Sequence, residues 1–254
     1  MKHFFILLRH EVRLLLLSPS SYVAAVLFLV LMAVIYWAIL QGFTVEAESD
    51  LPATFFFRVF WIPVFFVVPL VTMRSIAEER RLGTLETLMT TPASSLAVVL
   101  AKFSGAYLFY CLLWSLTLAF PLITRLVAPE VAETGRLLDG ATLTGGYLFI
   151  AISGILFIAV GIFTSSLTRS QLVAGMLAFA LLFLVITGGQ LLELLPAADS
   201  AWLSWLEAPL TYLQTFQHLE DFSRGIVDTR PFFYYLSLAL LLLGLAVLTV
   251  EAKA

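Results

Sequence analysis

Hydrophobic runs dominate the chain, and their lengths set its architecture. A helix crosses the hydrocarbon core of a bilayer with about 20 apolar residues, and a spanning segment must satisfy its backbone polar groups internally. Six runs meet that length: Tyr22–Leu40, Phe55–Met73, Phe103–Ile123, Tyr147–Leu167, Leu172–Leu192 and Phe232–Val250. The predicted fold is all-α and polytopic, a single domain over residues 1–254. Residues 2–17 behave differently. Phe4, Phe5, Leu7, Leu8 and Leu14–Leu17 alternate with Arg9, His10, Glu11 and Arg13, the pattern of an amphipathic helix lying at the interface. Ser18-Pro19 then breaks it and turns the chain into the first span. The same charges, with no small-residue cleavage site before a full span, argue against a signal peptide.

Within the spans, Pro63 and Pro69 are expected to kink the second, and Pro121 to mark the outer end of the third. Gly154, Gly161 and Ser165 form a small-residue stripe on the fourth, suited to close helix approach. Only Thr168 to Gln171 separate the fourth and fifth spans, which predicts a tight hairpin. Beyond the fifth span, Trp202 and Trp205 lie in a short apolar segment, and Pro209 opens a helix carrying Tyr212, Phe216 and Leu219. These read as two short helices over the outer end of the bundle, with an ordinary surface loop as the alternative.

Composition agrees with the runs: 61% of residues are hydrophobic and 12% charged, about half the charged share of a soluble domain. Charge placement gives orientation. With the N-terminus inside, nine of the 14 Lys and Arg face the cytoplasm and four fall in outer loops, Arg58 being within the second span. This places both termini in the cytoplasm. Arg58 lies one turn from the outer end and is expected to snorkel outward.

Chemistry is sparse. The three histidines, His3, His10 and His218, fall at opposite ends of the bundle, and the one cysteine, Cys111, sits in an apolar run. Neither a metal set nor a nucleophile–base pair can be built from them, so no catalytic, cofactor or metal residue is expected. Glu78-Glu79 is similar to the paired glutamates of intramembrane prenyl-protein proteases. Those need an arginine where this chain has Gly83, and histidines within the membrane, so an intramembrane enzyme is disfavoured. Thr187, Gly188, Gly189 and Gln190 make a weak polar patch near the outer end of span five. A phosphate-gripping loop needs G-x-x-x-x-G-K followed by Ser or Thr, and none of Lys2, Lys102 and Lys253 follows a glycine. ATP hydrolysis by that route is expected on another polypeptide.

The segment between spans two and three is the most structured polar stretch. Arg74–Arg81 continues the second span inward, with Glu78 and Arg81 spaced i,i+3 for pairing. Gly83 relaxes the backbone, and Thr84 can cap a short helix with Leu85, Glu86, Leu88 and Met89. Thr91-Pro92 ends that helix, and Ser94 or Ser95 caps the next. Its apolar face is expected to be free for a groove on a partner, the alternative being a membrane-surface helix without one.

AEERRLGTLETLMTTP (Ala77–Pro92), followed by VLAKF (Val99–Phe103), resembles the ABC type-2 exporter permeases, nearest their gliding-motility and nitrous-oxide-reductase-maturation branch. RHEVRLLLLSPSSYV (Arg9–Val23) resembles their elbow helix and first span, and FQHLEDFSRGIVDTRPFFYYLSLALLLL (Phe216–Leu243) their last outer loop and sixth span. Ala101 departs from the glycine common there. The resemblance implies a multi-pass permease half in a bacterial cytoplasmic membrane, with a coupling helix between spans two and three. Its implied partners are two copies of an ATP-binding-cassette ATPase, which carry the ATP and Mg, a second permease half (identical or related) and membrane lipid, with no nucleic acid. Glu78, Glu79, Arg80, Gly83, Thr84, Glu86 and Pro92 would be the residues coupling it to the ATPase, and a pathway would run between the two halves along spans two and five. A membrane scaffold or regulator with a transporter-like fold is the competing expectation.

Overall fold

A computed structural model of the chain describes residues 2–43, 52–85, 94–134, 139–193, 214–224, 226 and 228–253. All regular structure among them is helical. The helices are α1 (Lys2–Leu17), α2 (Pro19–Phe43), α3 (Pro52–Arg58), α4 (Trp61–Thr72), α5 (Ala77–Leu82) and α6 (Ser95–Leu116). They continue with α7 (Ala119–Val127), α8 (Pro129–Thr134), α9 (Gly140–Leu167), α10 (Gln171–Glu193), α11 (Thr215–Ser223) and α12 (Thr229–Lys253). Six stretches are long and apolar enough to cross a membrane: Pro19–Gln41, Trp61–Leu82, Ser95–Val127, Gly140–Leu167, Gln171–Gln190 and Thr229–Ala252. The helix over residues 2–17 and the break at Ser18 lie where the sequence puts them.

The second and third spans are interrupted, and proline explains the breaks at Val59-Phe60 and at Thr117-Leu118. Pro63 has no N–H to offer the carbonyl of Val59, which instead accepts from Ile62 N at 3.1 Å, and the helix breaks at Val59-Phe60 between α3 and α4. Pro121 does the same to Thr117, whose carbonyl accepts from Phe120 N at 3.1 Å. Pro121 therefore marks an internal break and not the outer end of the third span, since the chain stays helical to Val127. The Thr117 hydroxyl donates to Trp114 O at 2.6 Å and lies 2.8 Å from the Tyr147 hydroxyl, which ties the break to α9. Pro69 remains inside an unbroken α4.

α9 is the spine. Of its spanning window 78% is buried, against 17% for α2, 33% for α10 and 28% for α12. It packs on α3, α4, α5, α6, α10, α11 and α12. Its small residues make this possible. A Cβ at Gly145 would strike the backbone carbonyl of Phe222 in α11, and one at Gly161 would strike Thr72 at the end of α4. Of the predicted stripe, Gly161 docks Thr72 and Gly154 docks the Tyr110 ring, which a Cβ would strike; Gly145 adds a docking point outside it. Around them lies an aromatic core in which Phe60 packs against Phe149, Phe157 and Phe216, and Phe149 against Phe222 and Tyr235.

Thr168–Ser170 form the short turn between α9 and α10, with Ser170 Oγ accepting from Val173 N at 3.5 Å. Arg58 ends α3 partly buried, its guanidinium carbon 5.7 Å from the Phe55 ring centroid. Phe216 and Leu219 lie on α11 as expected; Trp202, Trp205, Pro209 and Tyr212 lie outside the described residues.

The glycine contacts generate a test. Gly145→Ala should overpack the α9–α11 contact and cost about 1–3 kcal/mol, lowering the thermal midpoint in detergent. Gly188→Ala, which meets nothing within 4 Å, should leave the midpoint unchanged or raise it.

Candidate functional site

The polar inner segment begins at α5. Two acidic residues open this helix and two basic residues close it, Glu78, Glu79, Arg80 and Arg81, an order that complements its dipole. Gly83 caps it with φ 71°, a left-handed conformation, and donates its N–H to the Glu79 carbonyl. A side chain there would meet nothing within 4 Å, so glycine is required by the backbone angle and not by crowding. The Thr84 hydroxyl donates to the same carbonyl at 3.2 Å. Thr84 therefore reinforces the end of α5 as the chain leaves it.

The four charged side chains of α5 point to different places. Glu78 and Arg81 pair with each other at 3.6 Å on the surface, as their spacing predicts. Arg80 turns across to α9 and donates to the Ser166 carbonyl at 2.6 Å. Glu79 turns inward, where its Oε1 accepts from Lys102 Nζ at 2.7 Å. Lys102, on α6, also donates to Glu11 Oε1 on α1 at 2.7 Å. Its side chain is 4% exposed, with Glu11 at 16% and Glu79 at 28%.

This triad joins three elements that the sequence keeps far apart. One ammonium is shared by two carboxylates in a setting where each charge would be costly alone. The second oxygen of Glu79 is buried and meets no hydrogen-bond partner among the described residues. Beside the triad a cleft of about 250 Å³ runs between the α1–α2 junction and the neighbouring ends of α4 and α6, with Ser18, Ser20, Arg74 and Ser75 among its walls.

The expected coupling residues are thus divided. Glu78, Gly83 and Thr84 lie outward, whereas Glu79 and Arg80 are engaged within the chain. Leu85, expected on a free apolar face, is 2% exposed and belongs to the core of this chain. Glu86, Leu88, Met89, Thr91 and Pro92 lie outside the described residues. Ser94 caps α6, its hydroxyl accepting from Ala97 N at 3.3 Å. Among the described residues no group of His, Cys, Asp and Glu could hold a metal ion.

Sequence reasoning missed Lys102 and Glu11 as site residues. A signal existed: Lys102 is the only lysine between Lys2 and Lys253, set in the apolar string LAVVLAKF, and a lone buried cation demands a partner. Nothing local named that partner.

Residues 5–251 match the family model described as ABC-2 family transporter protein. No curated protein matches the chain.

Removing the ammonium should expose the cost of the triad. Lys102→Met leaves two carboxylates in a poorly solvated site and is expected to cost about 3–5 kcal/mol, read as a lowered thermal midpoint. The triple variant Glu11→Gln/Glu79→Gln/Lys102→Met should recover most of that loss.

Proposed function

We propose, for a chain that belongs to the ABC-2 transporter family, that it is the permease subunit of an ATP-driven exporter. Family membership implies an ATP-binding-cassette ATPase as partner. In this reading two ATPase copies hold the ATP and Mg, and the chain itself performs no bond chemistry. A second permease half, identical or related, completes the assembly in the lipid bilayer. The nine-to-four distribution of Lys and Arg supports cytoplasmic termini, which puts α5 and the segment after it on the ATPase side. The strings around Ala77–Pro92 and Phe216–Leu243 favour the gliding-motility and nitrous-oxide-reductase-maturation branch.

The observation that carries this reading is the mounting of α5. Arg80 holds it to α9, and Glu79 holds it, through Lys102, to α6 and α1. The chain leaves it at the left-handed Gly83. A push on residues past Gly83 is received by a short rigid helix and passed to three others. ATP-driven closure of the ATPase pair would then shift the permease between inward- and outward-facing states, to the extent that nucleotide binds the two differently.

Co-expression with a candidate ATP-binding-cassette ATPase tests the reading. The expected result is a purified complex whose ATP hydrolysis in lipid nanodiscs depends on the permease. Gly83→Asn, which tolerates a left-handed backbone, should keep that activity. Gly83→Pro, locked near φ −65°, should assemble and lose at least about tenfold, on the order of 1.4 kcal/mol of coupling. A complex indifferent to Gly83→Pro points to a scaffold, and no complex at all refutes the permease assignment.

A further inference from the structure

Between α4 and α5 the second span is interrupted at residues 73–76, and no proline accounts for the interruption. In a continuous helix Ile76 N would donate to Thr72 O, and Ala77 N to Met73 O. Neither bond is made. Thr72 O accepts instead from Ser75 N at 2.9 Å. The N–H groups of Ile76 and Ala77 donate to Ser165 Oγ at 3.0 and 3.1 Å, and Ser165 Oγ–H donates to Met73 O at 3.2 Å. A hydroxyl from α9 has thus inserted into the backbone ladder of another span, occupying the Ala77–Met73 rung and taking the donor of the Ile76–Thr72 rung.

The insertion is fully used and fully enclosed. A hydroxyl offers one donor and two acceptor positions, and Ser165 engages all three while 0% exposed. It reaches the ladder because Gly161, one turn earlier on α9, lets Thr72 lie directly against the α9 backbone. Side-chain insertion of this kind is one of the recognised physical causes of a sharp kink. A ladder closed on itself, with Ser165 withdrawn, would satisfy the same number of backbone donors as the open one seen here.

We propose that Ser165 is the positioning residue that sets the angle of α5 on the second span, and that movement of α5 during the transport cycle proceeds by withdrawal and reinsertion of its hydroxyl. A kink of about 20° over the roughly 9 Å length of a six-residue helix displaces its far end by about 3 Å, so one hydroxyl decides where Gly83 and the segment beyond it are held. Because the hydroxyl belongs to α9, the same event releases or grips the spine on which most of the bundle packs. Arg80, bonded one residue further along α9 at Ser166 O, keeps α5 beside α9 in either arrangement.

The nucleotide arm of the test rests on the permease reading above, and the test is built to separate the two. Spin labels replace the exposed residues Leu82 on α5 and Leu184 on α10, with Cys111→Ala, in the full chain assembled with its ATPase in lipid nanodiscs. Distances are measured without nucleotide and with a non-hydrolysable ATP analogue. The wild type should show two distances, Ser165→Thr should reproduce both, and Ser165→Ala should give one distance, insensitive to nucleotide and shifted by about 3 Å from the nucleotide-free wild type. Hydrogen exchange at Ile76 and Ala77 in the wild type provides a readout that survives misfolding of the alanine variant, with protection of these two amides changing on nucleotide binding. A wild type indifferent to nucleotide counts against the permease reading. Ser165→Ala keeping both wild-type distances, or a wild type whose distances respond to nucleotide while exchange at the two amides does not, overturns the role of Ser165.

Discussion

A backbone amide left unpaired in hydrocarbon costs several kcal/mol, and every irregularity in this bundle is shaped by that penalty. Among the described residues the chain interrupts its spanning helices in three places and repairs them in two ways. At Val59-Phe60 and at Thr117-Leu118 a proline three to four residues ahead removes a donor, and the stranded carbonyl accepts from the preceding residue instead. These repairs are local, since the sequence that makes the break also mends it. At residues 73–76 no local group suffices, and the repair comes from Ser165, about 90 positions away. The geometry of the inner segment therefore depends on how α9 packs, and α9 can pack closely only because glycine stands where Thr72 must lie.

Besides the bond from Arg80 to Ser166 O, two kinds of attachment hold α5, and they differ in how they yield. The Lys102 triad is strong in sum and awkward to break, because withdrawing either carboxylate leaves a buried ammonium less compensated. It ties α5 to α6 and α1 as one body. The Ser165 insertion exchanges hydrogen bonds for hydrogen bonds, so its two arrangements can lie close in energy. A force on α5 is thus expected to spend itself at the Ser165 joint before it disturbs the triad. Helix α1, held to Lys102 through Glu11, would follow α5 because of that ordering.

Much of the fold is legible in the residues because the governing rules are local. Six apolar runs are long enough, Ser18-Pro19 forces a break, and Thr168–Gln171 leaves room only for a turn. What the runs hide is the fine division of a span: Phe55–Met73 is apolar apart from Arg58, and Pro63 announces a kink without showing that the helix parts at Val59-Phe60. Lys102 misleads in the opposite sense. It reads as the polar end of a span, yet it lies within α6, neutralised by residues 91 and 23 positions away. The candidate site follows the same division. Gly83 and the Glu78–Arg81 pair are readable because they depend on spacing within one turn, whereas the inward turn of Glu79 and the capture of Arg80 depend on partners from other helices. Leu85 shows the limit most plainly, since amphipathic spacing reveals that a face is apolar and not which surface covers it.

The spread of burial across the spans gives these attachments a direction. α9 is enclosed on nearly all sides, whereas α2 and α12 keep most of their windows on the outside of the bundle. A rearrangement that began by displacing α9 would have to reopen the glycine contacts at Phe222, Phe57, Tyr110 and Thr72 together, and close-packed interiors resist such partial opening. One that begins at α5 starts, on the exchange proposed for Ser165, at a single hydroxyl. In the proposed exchange, motion of α5 would be borne by the helices hung on α9 while α9 keeps its contacts at Phe222, Phe57 and Tyr110.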